Sequence, residues 1–372
     1  MLNVGLVGVG KMGMSHLAIL NANPKVNSVA ICESSGYMRS VLEKYSGFDT
    51  YDNYASLLAS EGLNAVVIAT PSRLHAKMVR DALERGLHVF CEKPFTLSPE
   101  DSVELAALAA SKGLVNQVGY HNRFVGTFNE AKRLLDAGAL GRIHNVKVEA
   151  YGPVVLRAKG GTWRMNASEG GGCLYDYACH AIDLVNYLVG SPTGVSGAVL
   201  NRVFSKDVDD EVYATLHFEG GATGRLAANW SDESFRRMST EISIWGVNGR
   251  MVVDRQEIKT YIRDPDVSSV PVARGWSVRN ITEITPEVDF YLRGEEYSKQ
   301  IDHFVDAIVD GVRDGAASFA TSAVTDSVVD LIRRSAEDGS FVSLDSKVSA
   351  ENSKAKLHPT NFWDRAKAIL AA

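Results

Sequence analysis

Three short groups of residues in this chain are equipped to do chemistry. Lys93 stands in Glu92-Lys93-Pro94, between an acid and a proline whose ring stiffens the turn, so its ammonium can be aimed rather than swing in water. A cation held that way stabilises the alkoxide that develops as hydride leaves a hydroxyl-bearing carbon. The second group runs from Glu169-Gly170-Gly171-Gly172-Cys173 through Asp176 and His180 into a helical pattern, and its glycines allow close backbone approach. Asp176 and His180 are four residues apart, so on an α-helix they share a face and point at one reacting atom. A histidine steered by a carboxylate suits acid-base work on an alcohol. Two plainer readings compete: His180 packs beneath its helix, or Asp176, His180 and Asp183 hold a metal. The metal arrangement lacks an obvious fourth ligand, so no metal is expected.

The third group is Gly8-Val9-Gly10-Lys11-Met12-Gly13, a G-x-G-x-x-G that directly follows an apolar run and opens a helical pattern. In that setting the first glycine allows a tight turn, the second lets backbone approach a diphosphate, and the third lets helix pack on strand. Glu33 follows twenty residues after Gly13, where an acid accepts hydrogen bonds from a ribose and repels a 2'-phosphate. NAD is therefore favoured over NADP, although Ser34 and Arg39 lie close enough to accommodate a phosphate.

These groups need a frame. Apolar runs at residues 3–8, 27–32, 65–69, 87–91 and 115–119 alternate with helical patterns, which predicts a doubly wound α/β domain with a parallel sheet. Ligands in such sheets sit beyond the carboxyl ends of the strands. There the chain places Ala69-Thr70-Pro71-Ser72 with His75, then Glu92-Lys93-Pro94, then Tyr120-His121-Asn122-Arg123.

Beyond residue 121 period-two alternation takes over, as in Val212, Ala214, Leu216 and Phe218, and predicts an open, mostly antiparallel sheet in an α+β domain. Strand-like stretches lie near 143–150, 195–204, 240–245, 250–254 and 257–263, with Gly220-Gly221 and Asn248-Gly249 as hairpin turns. Helical patterns at 128–137, 179–189, 297–310 and 321–337 are expected to cover one face, leaving the other for a subunit. The expected division is 1–121 for the nucleotide-binding domain, 122–345 for substrate binding and oligomerisation, and 346–372 as a tail.

Composition sets the outer limits. A chain of 372 residues at roughly 100 to 200 per domain holds two or three domains. Its net charge of -6 gives no global reason to bind nucleic acid or an anionic membrane. Four scattered cysteines form neither a disulfide framework nor a zinc motif, and the first residues carry no signal-peptide pattern, so the cytoplasm is expected.

Taken in order, the glycine loop, Ala69-Thr70-Pro71 with His75, Glu92-Lys93-Pro94, Gly119 to Phe124, Trp163-Arg164 and Gly170 to Asp183 resemble the Gfo/Idh/MocA oxidoreductases. The resemblance implies a Rossmann domain, NAD, a sugar or polyol substrate, and dimers or tetramers formed through the second sheet. It also implies Lys93, Asp176 and His180 as catalytic groups, with Thr70, Pro71, His75, Glu92 and Pro94 lining the nicotinamide and its ribose. Ala69 and Asn122 join the expected cofactor contacts. Expected substrate contacts are Lys93, His121, Arg123, Tyr151, Trp163, Arg164, Asp176 and His180. Arg157, Lys159 and Arg164 suggest a carboxylate or phosphate on the substrate. The expected reaction is reversible oxidation of a secondary hydroxyl. The alternative is an NAD-dependent glycoside hydrolase or lyase that oxidises C3 transiently and eliminates, with Tyr175, Tyr177 or His121 as an extra base. A cofactor-binding regulator without catalysis ranks last, because Lys93 and His180 are both present.

Overall fold

A computed structural model describes residues 1–157, 162–313 and 315–344; Lys159 and the expected tail at 346–372 fall outside the described residues. The first sheet is built from β1 (Leu2–Val7), β2 (Val26–Cys32), β3 (Thr50–Tyr51), β4 (Ala65–Ile68), β5 (His88–Cys91) and β6 (Asn116–Val118). They lie in the order β3-β2-β1-β4-β5-β6, all parallel, as in dinucleotide-binding folds. The two-residue β3 is too short for an apolar run to announce it. Helices α1 (Lys11–Ala22), α2 (Gly36–Ser46), α3 (Tyr54–Leu58), α4 (His75–Glu84) and α5 (Pro99–Ser111) connect these strands. Ser98 caps α5 by accepting from the Asp101 N–H, with Pro99 in the first turn and acids after it.

The second sheet comprises β7 (Ile143–Tyr151), β8 (Gly194–Asn201), β9 (Glu211–His217), β10 (Thr223–Asn229), β11 (Ser239–Gly246), β12 (Gly249–Val253), β13 (Glu257–Ile262), β14 (Gly275–Asn280) and β15 (Val342–Ser343). Their order is β14-β13-β12-β11-β7-β10-β9-β8-β15, antiparallel except for the β10–β7 pair. In β7, Val146, Val148 and Ala150 are buried, and the residues between them lie on the opposite face. The remaining helices are α6 (Gly126–Asp136), α7 (Cys179–Leu188), α8 (Ile281–Ile284), α9 (Glu295–Asp310) and α10 (Phe319–Asp338).

One helix goes elsewhere than expected. Helix α9 has an apolar stripe, with Ile301, Phe304 and Val305 fully buried, but it packs with Leu17, Leu20 and Phe90 of the first sheet's core and not on the second sheet. Periodicity reveals which side of a helix is apolar and not which core receives it. The consequence is functional, since α9 carries its N-terminal residues back to the strand ends of the first sheet. Among the described residues no helix is long and apolar enough to cross a membrane.

Candidate active site

The glycine loop is shaped by contact. Gly8 has φ 87°, and a Cβ there would stand 2.8 Å from the Ala69 carbonyl oxygen; at Gly13 it would stand 1.9 Å from the Gly8 oxygen. At Gly10 a Cβ would meet nothing within 4 Å, so the loop is open on that side. Helix α1 begins there with Lys11 and Met12, without a side-chain cap or an acid in its first turn, which leaves its N–H groups for an anion. Glu33 Oε2 accepts from the Val9 N–H at 2.9 Å and Oε1 from the Ser35 N–H at 2.9 Å. Burial alone would raise its carboxyl, but these backbone donors outweigh it and hold the acid low. An open loop, free helix N–H groups and an ionised acid beside them fit a dinucleotide.

The strand-end turns are locked together behind this loop. His75, fully buried, places Nδ1 2.9 Å from the Pro94 carbonyl and Nε2 3.0 Å from the Thr70 carbonyl, so it ties the two turns from beneath. Ala69 and Thr70 are half-buried and Pro71 exposed at the rim. Glu92 is turned onto His16 of α1, with Oε1 2.7 Å from Nε2. His16 was not singled out in the sequence; its signal is its place three residues after Gly13, on the buried side of α1.

Lys93 Nζ donates to Asp176 Oδ1 at 2.6 Å and to the Asp176 carbonyl at 2.9 Å. Asp176 Oδ2 accepts from Nε of Arg164 at 2.9 Å. Burial opposes the Lys93 charge, but the Asp176 carboxylate more than restores it and raises the ammonium above its ordinary value. The two cations likewise hold the Asp176 carboxyl low against burial. The expectation that Asp176 aligns His180 is therefore corrected: its oxygens are bound by Lys93 and Arg164. Leu174–Ala178 winds as a π-turn in which the Cys179 N–H reaches the Leu174 carbonyl. Spacing along the helix cannot show that Lys93 and Arg164, from other segments of the chain, engage the carboxylate.

His180 instead meets aromatic neighbours. Its ring lies 4.8 Å from that of His121, edge to face, and His121 stacks on Tyr297 at 4.9 Å. Burial, then the charges of Lys93 and Arg255, keeps His180 well below its ordinary value; burial and His180 itself do the same for His121. Burial thus favours the neutral form of both rings. Around them lie buried polar atoms without partners: His180 Nδ1, His121 Nε2, the Tyr120 hydroxyl, and both amide atoms of Asn122. Buried polar groups are rarely left so, and the ring nitrogens of the contacting His121 and His180 are available to a ligand.

Other expected contacts are placed differently. Arg123 is 4 % exposed, and its Nε and Nη2 grip Asp183 at 2.9 and 2.6 Å while Nη1 donates to the Ala316 carbonyl. It is an internal tie, not a substrate contact, and it occupies the carboxylate that the metal arrangement needed. Among the described residues no three such side chains are set to hold an ion. Tyr151 lies on the face of β7 opposite buried Ala150, beside Glu149 and Phe235, on the open side of the sheet. Trp163 is exposed and covered by the Arg164 guanidinium at 4.5 Å, in a loop that Arg73 tethers through Glu169 at 2.7 Å. Tyr297, Arg255, Glu296 and Arg293 were not read as site residues, because they come from a turn and a helix start far along the chain.

An open glycine loop at the start of a helix, on a parallel sheet with this strand order, is the arrangement of a dinucleotide-binding domain, and Lys93 and His180 lie beside its strand ends. Residues 2–120 match the model of the oxidoreductase family with an NAD-binding Rossmann fold, and residues 128–252 match the GFO/IDH/MocA C-terminal domain. The chain belongs to the Gfo/Idh/MocA oxidoreductase family. It is 30% identical over 236 residues to scyllo-inositol 2-dehydrogenase (NAD(+)) of Bacillus subtilis, covering 60% of this chain and 66% of that one. It is 28% identical over 293 residues to levoglucosan dehydrogenase of Pseudarthrobacter phenanthrenivorans, covering 68% and 73%. A solved structure of levoglucosan dehydrogenase in complex with NADH superposes with a TM-score of 0.82 at 27% identity, covering 92% of this chain and 99% of that one.

Proposed function

We propose that this protein reversibly oxidises a secondary hydroxyl of a sugar or polyol with NAD, using Lys93 and His180. The observation that carries the reading is the state of Lys93. An ammonium has three donors, and two are used on Asp176. The third is free for a substrate oxygen, on a group whose charge Asp176 maintains. Lys93 then stabilises the negative charge that develops on that oxygen, and the neutral His180 ring takes the hydroxyl proton. Gly8, Gly10, Gly13, Glu33 and Asn122 hold the cofactor, which when bound supplies the hydride acceptor. Asp176 and Arg164 position the lysine. The sugar and inositol dehydrogenases among the relatives support the substrate class, and Glu33 supports NAD over NADP. The test is NADH formation by the purified protein over a panel of sugars and inositols. Turnover with NAD that exceeds NADP by tenfold or more supports the reading, and no turnover on any of them rejects it.

The open face of the second sheet, with Val199, Tyr213, Tyr261 and Trp276 exposed on it, supports association of copies of the chain.

A second reading is favoured by one observation, the contact of His121 with His180. A second neutral ring beside the first suits removal of a proton next to a newly formed ketone, and so a redox-neutral elimination. Release of an aglycone without net NADH identifies that outcome.

A further inference from the structure

Apart from Lys93, the cations facing the two histidines are not the ones the sequence suggested. Arg164 is engaged by Asp176. Arg255, in the turn between β12 and β13, is paired with Glu296. Arg293, just before α9, has no carboxylate within ion-pair distance among the described residues; its guanidinium lies 5.2 Å from the centre of the Tyr297 ring. From there a column of rings leads inward, Tyr297 stacked on His121 at 4.9 Å and His121 edge to face with His180 at 4.8 Å.

The backbone at Arg293 is also unusual. Among the described residues it is the single non-glycine in the left-handed region, with φ 65°. Arginine gains nothing locally from that conformation, and such residues gather where geometry serves a ligand. Gly294 follows with φ 144°, where a Cβ would stand 2.4 Å from the Glu296 carboxylate. The pair of residues thus folds Glu296 back onto Arg255 and sets Arg293 over Tyr297. Charge points the same way: Lys93, Arg255 and Arg293 all bear on His121, while the Asp176 and Glu296 carboxylates are engaged by Lys93, Arg164 and Arg255, and Glu92 is turned onto His16.

We infer that Arg293, held over Tyr297, recognises a carboxylate on the substrate, so that the enzyme takes an acidic sugar or polyol in preference to its neutral counterpart. A guanidinium is a planar fork that matches a carboxylate through two parallel hydrogen bonds, and attraction to the Tyr297 ring keeps it at that end of the crevice. The inference rests on the hydride-transfer reading above and names the substrate class for it.

The test uses the NAD-loaded full chain and matched pairs: glucuronate with glucose, galacturonate with galactose, gluconate with sorbitol. For at least one pair kcat/KM for the acid is expected to exceed that for the neutral member by tenfold or more. Arg293→Asn removes the cation while accepting the left-handed backbone, and is expected to lower the acid-to-neutral ratio at least tenfold through KM for the acid. Arg293→Lys is expected to retain part of the preference. Neutral members favoured or equal in every pair, or a ratio unchanged in Arg293→Asn, overturns the assignment. If Arg293→Asn instead weakens NAD binding and leaves the ratio alone, the guanidinium serves the cofactor and the assignment also fails. NADH from neutral sugars that vanishes in Lys93→Ala leaves hydride transfer standing when this inference falls. No NADH from any compound removes both.

Discussion

Asp176 holds Lys93: Oδ1 lies 2.6 Å from its Nζ, the Asp176 carbonyl takes a second hydrogen bond at 2.9 Å, and Arg164 secures the other carboxylate oxygen. The carboxylate four residues before His180 thus serves the lysine across the crevice. Burial disfavours the Lys93 charge, and Asp176 is the largest influence restoring it.

Removing that influence has a sign. In Asp176→Asn the burial cost stays while the attraction goes, so the Lys93 pKa falls. The alkaline limb of the pH–kcat profile is expected to move to lower pH, with kcat reduced on the order of tenfold to a hundredfold. A pH profile of both proteins checks this; a limb that does not move argues that Lys93 gains nothing from the carboxylate.

Glu33 is expected to set cofactor preference. It is held ionised by the N–H groups of Ser35 and Val9, beside the loop that receives the diphosphate. Glu33→Ala is expected to lower the NAD-to-NADP ratio of kcat/KM tenfold or more, because the charge opposing a 2'-phosphate is gone and Arg39 stays nearby. Equal ratios in mutant and wild type would remove Glu33 from specificity.

Arg123 contributes to stability and not to substrate affinity. Its fork closes on Asp183 in a site where both side chains are almost fully buried, at 3% and 1% exposure. Burial pushes the Asp183 carboxyl up, and Arg123 pulls it back only in part. Breaking such a pair on one side leaves an uncompensated charge and costs about 3–5 kcal/mol. Arg123→Met is expected to lose stability of that order in urea unfolding while KM of the folded protein holds. A raised KM at unchanged stability would restore a substrate role.

Asp326 on α10 gives the fold a pH dependence. Burial raises its carboxyl to about 7, although Ser102 and the Thr96 N–H donate to it. Unfolded, the group titrates near ~3.9. Between about pH 4 and pH 7 the folded state therefore keeps a proton that the unfolded state has released, so stability falls as pH rises through that window and levels off above it. Asp326→Asn retains an acceptor for both donors and lacks the slope. It is expected to be more stable than wild type by a few kcal/mol at about pH 8 and similar near pH 4. A difference independent of pH would contradict this.

What the sequence made legible follows from what periodicity and turn chemistry record. Gly8 to Gly13 and the strand-end turns were readable because a parallel sheet buries continuous apolar runs and leaves its functional residues just beyond them. Strand β14 was not, since Trp276, Val278 and Arg279 are exposed on an edge and show no buried alternation. The partnership of Asp176 is not legible from its spacing to His180, because the cations that engage its carboxylate, Lys93 and Arg164, come from other segments. Tyr297 opens the helical pattern at 297–310, and only the packing of that helix on the first sheet's core brings its ring onto His121. Arg123 has the composition of a binding residue, and the acid that neutralises it lies sixty positions away.

The most direct test of hydride transfer through Lys93 and His180 is to follow the hydrogen itself. A turned-over sugar or polyol, deuterated at the carbon bearing the oxidised hydroxyl, is incubated with NAD-loaded protein, and the recovered cofactor is weighed by mass spectrometry. Wild type is expected to carry the label into the nicotinamide, with the rate lowered about a hundredfold or more in Lys93→Ala and in His180→Ala while both variants still bind NAD. Label that never enters the cofactor, or that enters as fast in Lys93→Ala as in wild type, contradicts the account.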